Sequence, residues 1–577
     1  MRGAGAARNG IAAYRGPDLG RVIGVLVMRD RWLRRCSRLL LVASAGTGAG
    51  CGLVLGLDEF KDAPSESGGT GPGTSTGTGA EGGGAACEPR EAVSCYEGPD
   101  DTVNIGICKA GQKMCNDEGT VYGSCNGQKT PEAETCTNPA DENCDTHDCA
   151  IWSRIFGDAS NQTVNDIGLD SDGNILVTGT FSGTLAIPES APLTAEARAL
   201  YLAKFAADGT PIWSRKFGGA YASTTSLTVD SENNVILAGD FQSQLQIEDT
   251  TLTGDDRSIF SAYVAKWNPF GTLSWAISEA VSQEYVEIAG AATDTLGNVF
   301  IYGRDTCRSV CHIPGEGLWL CKYNTDGQRT WCKSFVGSDS EGKRLAGDIA
   351  IDRMNNVYIT GSLASSEEAR PVEFGGPILE LRDDLDGFIV KLDNDGKFKA
   401  QQTIRGPGTQ ISVDIAADKN DNVIVLANHD GRTAVGIYSA SSAGMTDILV
   451  AKLDSQLSCL WSRSLGGSGD ETAIELAVAA DGTIAVTGKA EGNVDYDGGP
   501  LAGAGGIDLP LIKLAPDGAH VWSKLFGDDK NQTSKALAML PSGEPILGSD
   551  IEGSVNVGAG TLYSSGGSDV LLARFGR

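Results

Sequence analysis

The sequence predicts an all-β chain: a seven-bladed β-propeller of four-stranded antiparallel blades, preceded by a flexible linker and a small disulfide-rich module. Three observations carry this expectation. A tryptophan recurs at Trp152, Trp213, Trp275, Trp331, Trp461 and Trp522, and the same 61-residue step separates Trp152 from Trp213 and Trp461 from Trp522. One basic residue marks each of seven units: Lys204, Lys266, Lys322, Lys391, Lys452, Lys513 and Arg574. Between these markers, segments alternating apolar and polar side chains are broken by Asp-Gly and Asn-Asn pairs, the local signature of hairpins.

Composition narrows the partners. The 577 residues carry 75 acidic against 46 basic side chains, a net charge of −29. A phosphate backbone wants a basic face, so nucleic acid is excluded as an expected partner, and a bare anionic membrane surface with it. The 77 glycines and 6% aromatic content suit a turn-rich β chain.

Residues 1–51 read as an export segment. Arg29, Arg31, Arg34, Arg35 and Arg38 form a basic start, 39–45 is a short apolar core, and Cys51 follows Gly48, Ala49 and Gly50. The core is too short to span a bilayer, and Met28 is the better start. The ending Gly-Ala-Gly-Cys resembles a bacterial lipoprotein box, which implies lipidation at Cys51 and membrane contact only through that anchor. An ordinary secretory signal is the alternative. Residues 52–86 form a linker in which 64–86 is almost wholly Gly, Ser, Thr, Ala and Pro, a composition that buries no core.

Residues 87–149 hold eight cysteines: Cys87, Cys95, Cys108, Cys115, Cys125, Cys136, Cys144 and Cys149. With few large apolar residues beside them, an even count in an exported chain reads as a disulfide framework of undetermined connectivity. Zinc is the competing reading, but paired C-x₂-C spacings are absent. The stretch Cys95-Tyr-Glu-Gly-Pro with Cys125-Asn-Gly-Gln resembles a module of secreted myxobacterial proteins. Its acidic end, with Asp141, Asn143, Asp145 and Asp148, raises a Ca²⁺ site as an alternative to a solvated turn, although Thr146 and Trp152 stand where an EF-hand loop has Gly and Glu.

From 150 to 577 each unit parses into two hairpins. In the first unit the expected strands are 164–169, 175–181, 199–205 and 211–217, with turns at 170–174 and at Asp208-Gly209. Comparable first turns stand at Asn233-Asn234, Gly297-Asn298, Asn355-Asn356, Asp421-Asn422, Asp481-Gly482 and Ser542-Gly543. Turn chemistry alone accounts for the repeated Asp. The wording Trp-Ser-Arg-x-Phe-Gly, then Asp-x-x-Gly-Asn-x-x-x-Thr-Gly, resembles the SBBP-type β-propeller repeat. That resemblance implies the fold and leaves activity open, because propellers host many. The last unit has only three strands of its own, and 151–156 is an orphan ahead of the first. The orphan is expected beside 570–575, closing the ring without an exposed inner edge. Units depart from the pattern in places. Lys399-Ala-Gln-Gln stands where the fourth unit should have Trp, while Asp386, Asp447, Asp508 and Asp569 recur at equal steps only in the last four units. A two-residue turn at Asp326-Gly327 sets Cys321 opposite Cys332 as a disulfide pair. Cys307 and Cys311 would close a small loop, with a metal site on all four plus His312 as the alternative. Cys459 is left over.

No catalytic set emerges. His147, His312, His429 and His520 share no spacing. The repeated Lys and Arg are expected as stems packed between blades with the charge reaching solvent or an acidic partner. Function should lie where the repeats differ, in the inserts 188–198, 244–259, 304–317, 362–386 and 428–445, all of which follow a second strand and so share one face. The expectation is a non-catalytic, exported cell-envelope lipoprotein, needing no cofactor, that binds a protein or glycan through that face. The alternatives are a secreted propeller enzyme (a glycan lyase or quinoprotein-type dehydrogenase) and a calcium-stabilised adhesin.

Overall fold

The computed structural model describes residues 87–576 apart from 100–101, 133–140, 143, 145–149, 188–190, 220, 255–259, 280–285, 306–316, 337–343, 365–371, 380, 382–384 and 559. The export segment with Cys51, the linker, Cys136, Cys149, Cys307, Cys311, Asn143, Asp145 and Asp148 lie outside these residues.

The named elements are all strands. Ahead of the repeats, Ala92–Cys95 pairs with Gly111–Met114. Disulfides join Cys87 to Cys115, Cys95 to Cys125 and Cys108 to Cys144. These bonds hold a segment whose strands are four residues long and bury one position between them.

The repeats form antiparallel sheets of four. Unit one runs Gln162–Leu169, Ile175–Leu185, Leu193–Phe205, Pro211–Phe217, paired in that order. Unit two is Ala222–Val229, Val235–Phe241, Ser261–Trp267, Leu273–Glu279. Unit three is Val286–Thr293, Val299–Asp305, Gly317–Tyr323, Arg329–Val336. Unit four is Arg344–Ile351, Val357–Leu363, Asp386–Leu392, Phe398–Arg405. Unit five is Gln410–Ala417, Val423–Val435, Tyr438–Leu453, Cys459–Leu465. Unit six is Glu471–Val478, Ile484–Glu491, Ile507–Leu514, His520–Phe526. Unit seven takes Gln532–Met539, Pro545–Ile551 and Asp569–Phe575 from the chain's end and Ala150–Phe156 from ahead of unit one. The orphan strand thus pairs where strand counting put it.

The first strand of each unit packs against the first strand of the next, and that of unit seven against unit one. The hydrophobic core is correspondingly divided. Each buried cluster is shared by two successive sheets, as where Phe156, Val570 and Leu572 of unit seven meet Val164, Val177 and Tyr201 of unit one. Third strands are covered on both faces, so Ser261–Trp267 and Asp386–Leu392 are buried at every position. This explains why third strands read as apolar runs rather than alternating ones.

Two expectations change. The inserts are partly regular structure: Ile175–Leu185 with Leu193–Phe205, and Val423–Val435 with Tyr438–Leu453, are long hairpins that take up 193–198 and most of 428–445. The unit-five hairpin also leans on its neighbour, pairing Val435 with Ile404 and Ala434 with Arg405, so that units four and five become one eight-stranded sheet. Cys321 does face Cys332 and is bonded to it, but not through a two-residue turn. The turn spans Asn324 to Gln328, and a register shift beside Lys322 restores the pairing.

Candidate functional site

The repeated cations are structural locks. Lys204, Lys266, Lys322, Lys391 and Lys452 are buried and pair with Asp170, Asp230, Asp294, Asp352 and Asp418, the first residues of the turns between first and second strands, at 2.7, 2.8, 3.5, 3.6 and 2.9 Å. Turn chemistry alone therefore does not account for these aspartates. In Asp170 one carboxylate oxygen caps Asp172 and Asn174, while the other meets Lys204. Burial works against its charge, but the bonds from Lys204 and Asn174 outweigh it and hold Asp170 below the usual carboxylate range, with Asp418 held down likewise by Asn422 and Lys452. Units six and seven have Ala479 and Leu540 instead. There Lys513 donates to the Gly543 carbonyl, and Arg574 pairs with Glu544 at 2.8 Å. The cations also reach the following unit: Lys204 to the Pro269 carbonyl, Lys391 to Ser455, Lys452 to Pro516, and Arg574 across the closure to Ala207.

The tryptophans do the same work on the apolar side. Trp152, Trp213, Trp275, Trp331 and Trp461 each cover a glycine in the next unit's turn: Gly209, Gly271, Gly327, Gly396 and Gly518. All five glycines have positive φ, and a Cβ on any of them would crowd the indole, at 2.8 to 3.2 Å.

The recurring aspartates mark a second seam. Asp447, Asp508 and Asp569 are buried, and each accepts from a loop amide with one oxygen (Ala443, Ala504, Ser565) while the other has no hydrogen-bond partner. Those oxygens press on Gly466, Gly527 and Gly157, which accounts for the glycine that ends the Phe-Gly motif. Beside them, Gln162 and Gln532 bond to Asp158 and Asp528. At the seam between units five and six both partners change, to Glu471 and Gly467, and the acid moves from loop to strand. Burial, reinforced by Asp447, Asp470 and Glu491, pushes Glu471 up to about 7.

A register shift sits in every first strand, between its third and fifth residues, or third and sixth in unit four. It re-aims the fifth side chain, which is Asp166, Asp348, Asp414 or Glu475 in units one, four, five and six. These carboxyls influence one another between units that are not neighbours, so they meet at the centre of the cycle. Burial raises all four, and the Asp348 carboxyl shares a hydrogen bond with Asp414. In units six and seven stand Lys489, lowered by burial and by Lys535, and Asp550, pushed up to about 6 by burial with Lys535 at 3.6 Å. Nothing in the sequence pattern marks this set, because its members differ from unit to unit.

The remaining expected residues do not converge. Among the described residues no group of three or more His, Cys, Asp or Glu is disposed to hold a metal. Asp141 is half-buried, and its carbonyl accepts from Ile107. His429 and His520 lie in separate units, bond to Ser464 and Ser523, and are lowered by burial. Cys459 keeps a free thiol, pushed up to about 11 by burial. On the face of the second-to-third connections, a cavity of about 520 Å³ lies between Arg405–Pro407, which lead from unit four into unit five, and the far half of the unit-five hairpin.

The SBBP β-propeller repeat family matches residues 151–180. An uncharacterized WD repeat-containing protein of Acanthamoeba polyphaga mimivirus is 26% identical over 154 residues, 24% of this chain, and the chain spans 11% of that protein's length. Among solved structures, a protein of unknown function from Dyadobacter fermentans is 10% identical, covering 74% of this chain and 98% of its own with a TM-score of 0.36. A gluconolactonase from Xanthomonas campestris is 10% identical, covering 59% of this chain and 87% of its own with a TM-score of 0.27.

Proposed function

The chain is a β-propeller repeat protein, and on that premise we propose that it is a non-catalytic binding scaffold of the cell envelope, with its seven units as seven blades. It is exported, held at a membrane by lipid on Cys51, and set off from that anchor by the linker and the disulfide-bonded segment. The disulfides favour an oxidising compartment. One observation carries the binding role. On one face the turns are near copies, locked by the Lys–Asp pairs and the Trp–Gly contacts. On the other the connections differ in every unit, from the small hairpin Gln244–Ile247 with Thr250–Thr253 to the long one of unit five. A uniform face builds the ring, and an uneven one is where recognition can be specific. The partner is a glycan or protein of the envelope. A glycan array probed with the exported chain, and with a variant whose unit-five hairpin is cut to a tight turn, tests this. Binding that the cut abolishes at unchanged melting temperature supports the reading; binding that survives replacement of each such connection in turn overturns it.

A second reading has its own support. Asp550 and Lys489 are both displaced by burial, with the Lys535 ammonium 3.6 Å from Asp550, as acid–base chemistry needs. Turnover of an offered glycan that Asp550→Asn abolishes would establish an enzyme in place of the scaffold.

A further inference from the structure

At three of the register shifts a first strand turns an amide toward the unit before it, and that unit supplies the acceptor. The Ser412 amide donates to the Ser362 hydroxyl at 3.0 Å, the Ala473 amide to Asn428 at 2.7 Å and the Val164 amide to Asp550 at 2.8 Å. Each donor is the third residue of its first strand, and each acceptor is the sixth residue of the second strand one unit earlier. The seam between units six and seven breaks this rule. There the third residue is Ser534, next to the shift, and the sixth residue is Lys489. An ammonium carries three donors and no acceptor. The Ser534 amide therefore meets a donor where the other three seams offer an oxygen.

The charge at this seam is unbalanced too. Unit three also has a cation at the sixth position, but Glu287 stands opposite Arg304 and closes on it at 2.7 Å. Opposite Lys489 stands Thr472, which brings no charge. Among the described residues no carboxylate pairs with Lys489, and the charge that acts on it is a second ammonium, Lys535. Lys535 sits inside the shift, between Ser534 and Ala536, with its side chain 39% exposed. Its carboxylate is Asp550 at 3.6 Å, which already serves the Val164 amide. Two ammoniums and an amide thus share one carboxylate that is half engaged elsewhere. Like charges so placed repel, and burial adds to the cost. An oxyanion accepting from both lysines and the amide removes both penalties. Lys489 lies two residues before the end of Ile484–Glu491, and Asp550 one before the end of Pro545–Ile551. Both strands end where the chain leaves for the uneven second-to-third connections, and both side chains are half-buried rather than sealed. A ligand on the uneven face reaches them.

We infer that the seam between units six and seven binds an oxyanion, the carboxylate or sulfate of an acidic envelope glycan, with Lys489 and Lys535 as its cationic partners. The inference rests on the scaffold reading above and names the charge of its ligand. The full chain is titrated calorimetrically with oligogalacturonate, with sulfated dextran oligosaccharide and with neutral dextran oligosaccharide. At least one acidic probe binds, the neutral one does not, and affinity falls as salt is raised. The preferred acidic probe separates carboxylate from sulfate. Lys489→Asn installs the acceptor that Asn428 gives the preceding seam. It removes a repelled charge and bonds the Ser534 amide, so it melts at or above the wild-type temperature, while acidic binding weakens roughly tenfold or more. Lys489→Arg keeps the charge and keeps the binding. Lys535→Met, at the more exposed side chain, repeats the loss without changing the seam's acceptor. No binding of either acidic probe, equal binding of neutral and acidic probes, or lysine variants that bind as the wild type does overturns the inference. If the array finds a glycan lost on cutting the unit-five hairpin but untouched by Lys489→Asn and Lys535→Met, the scaffold stands and this site falls.

Discussion

Leu457 stands with φ at +64, in the turn position that Gly209, Gly271, Gly327, Gly396 and Gly518 fill elsewhere. A leucine there costs on the order of 1 kcal/mol of backbone strain, so something must offset it. Across the seam, Ala400 occupies the place of the covering tryptophan, opposite Lys391 as Trp461 is opposite Lys452. Leu457 is 2% exposed and packs in the cluster that Ala400 borders. The two positions have thus exchanged bulk: large on small in five seams, small on large in this one. Ala400→Trp alone should overpack and cost about 1–3 kcal/mol, and Leu457→Gly alone should cost about 2 kcal/mol through the space it leaves. The double variant should return to within about 1 kcal/mol of the wild type. Additive losses in urea denaturation would show that the two side chains do not share that space. The locks predict a different asymmetry. Asp418→Ala leaves the Lys452 ammonium buried without its carboxylate and should cost about 3–5 kcal/mol. Lys452→Met leaves Asp418 with its donors from Asn420 and Asn422 and should cost clearly less. Equal losses would mean that the turn, not the ion pair, dominates.

Ala150–Phe156 is the element on which closure depends. It pairs with Asp569–Phe575, Trp152 covers Gly209, and both Trp152 and Arg574 donate to the Ala207 carbonyl. Removing 150–157 bares the edge of Asp569–Phe575, a strand buried at six of its seven positions. The expected results are a melting temperature lower by several degrees, a concentration-dependent dimer formed through that edge, and recovery of both when a peptide of residues 148–158 is added. An unchanged melting temperature would mean that closure is carried by packing alone. This element was legible in the sequence because counting strands leaves one over at each end, and the turns were legible because positive φ selects Asn, Gly and Asp. The unit-five hairpin was not. Its far half, through Ser439, Ser441, Ser442 and Gly444, has no apolar alternation, and it becomes a strand because it pairs with its own return and with unit four. The Asp418-type residues showed only half their role, since a partner about 34 positions away leaves no local trace. The bulges and the carboxyls they turn inward left none, because neither has a composition of its own.

Those carboxyls and the locks pull the whole molecule's stability in opposite directions along the pH axis. Asp170, Asp230, Asp294 and Asp418 have folded pKa values below the ordinary one. The unfolded chain takes up their protons first as pH falls, so the stability they give is present above about pH 4 and lost below it. The central set is the reverse. Asp166 is pushed up to about 7, and Asp348, Asp414 and Glu475 are raised with it. The folded state keeps protons that the unfolded chain has released, so what this set contributes is full below about pH 4 and is lost as pH rises through 7. The two trends meet near pH 4, and the melting temperature should peak there, falling towards pH 2 and towards pH 8. Asp348→Asn isolates the central set. Its amide can donate to Asp414 at any pH, which replaces a shared proton with a permanent one. The variant should melt about 2 °C higher than the wild type at pH 8 and at nearly the same temperature at pH 4. If both proteins grow steadily more stable from pH 5 to pH 8, the central carboxyls are ionised without penalty, and water must reach them freely.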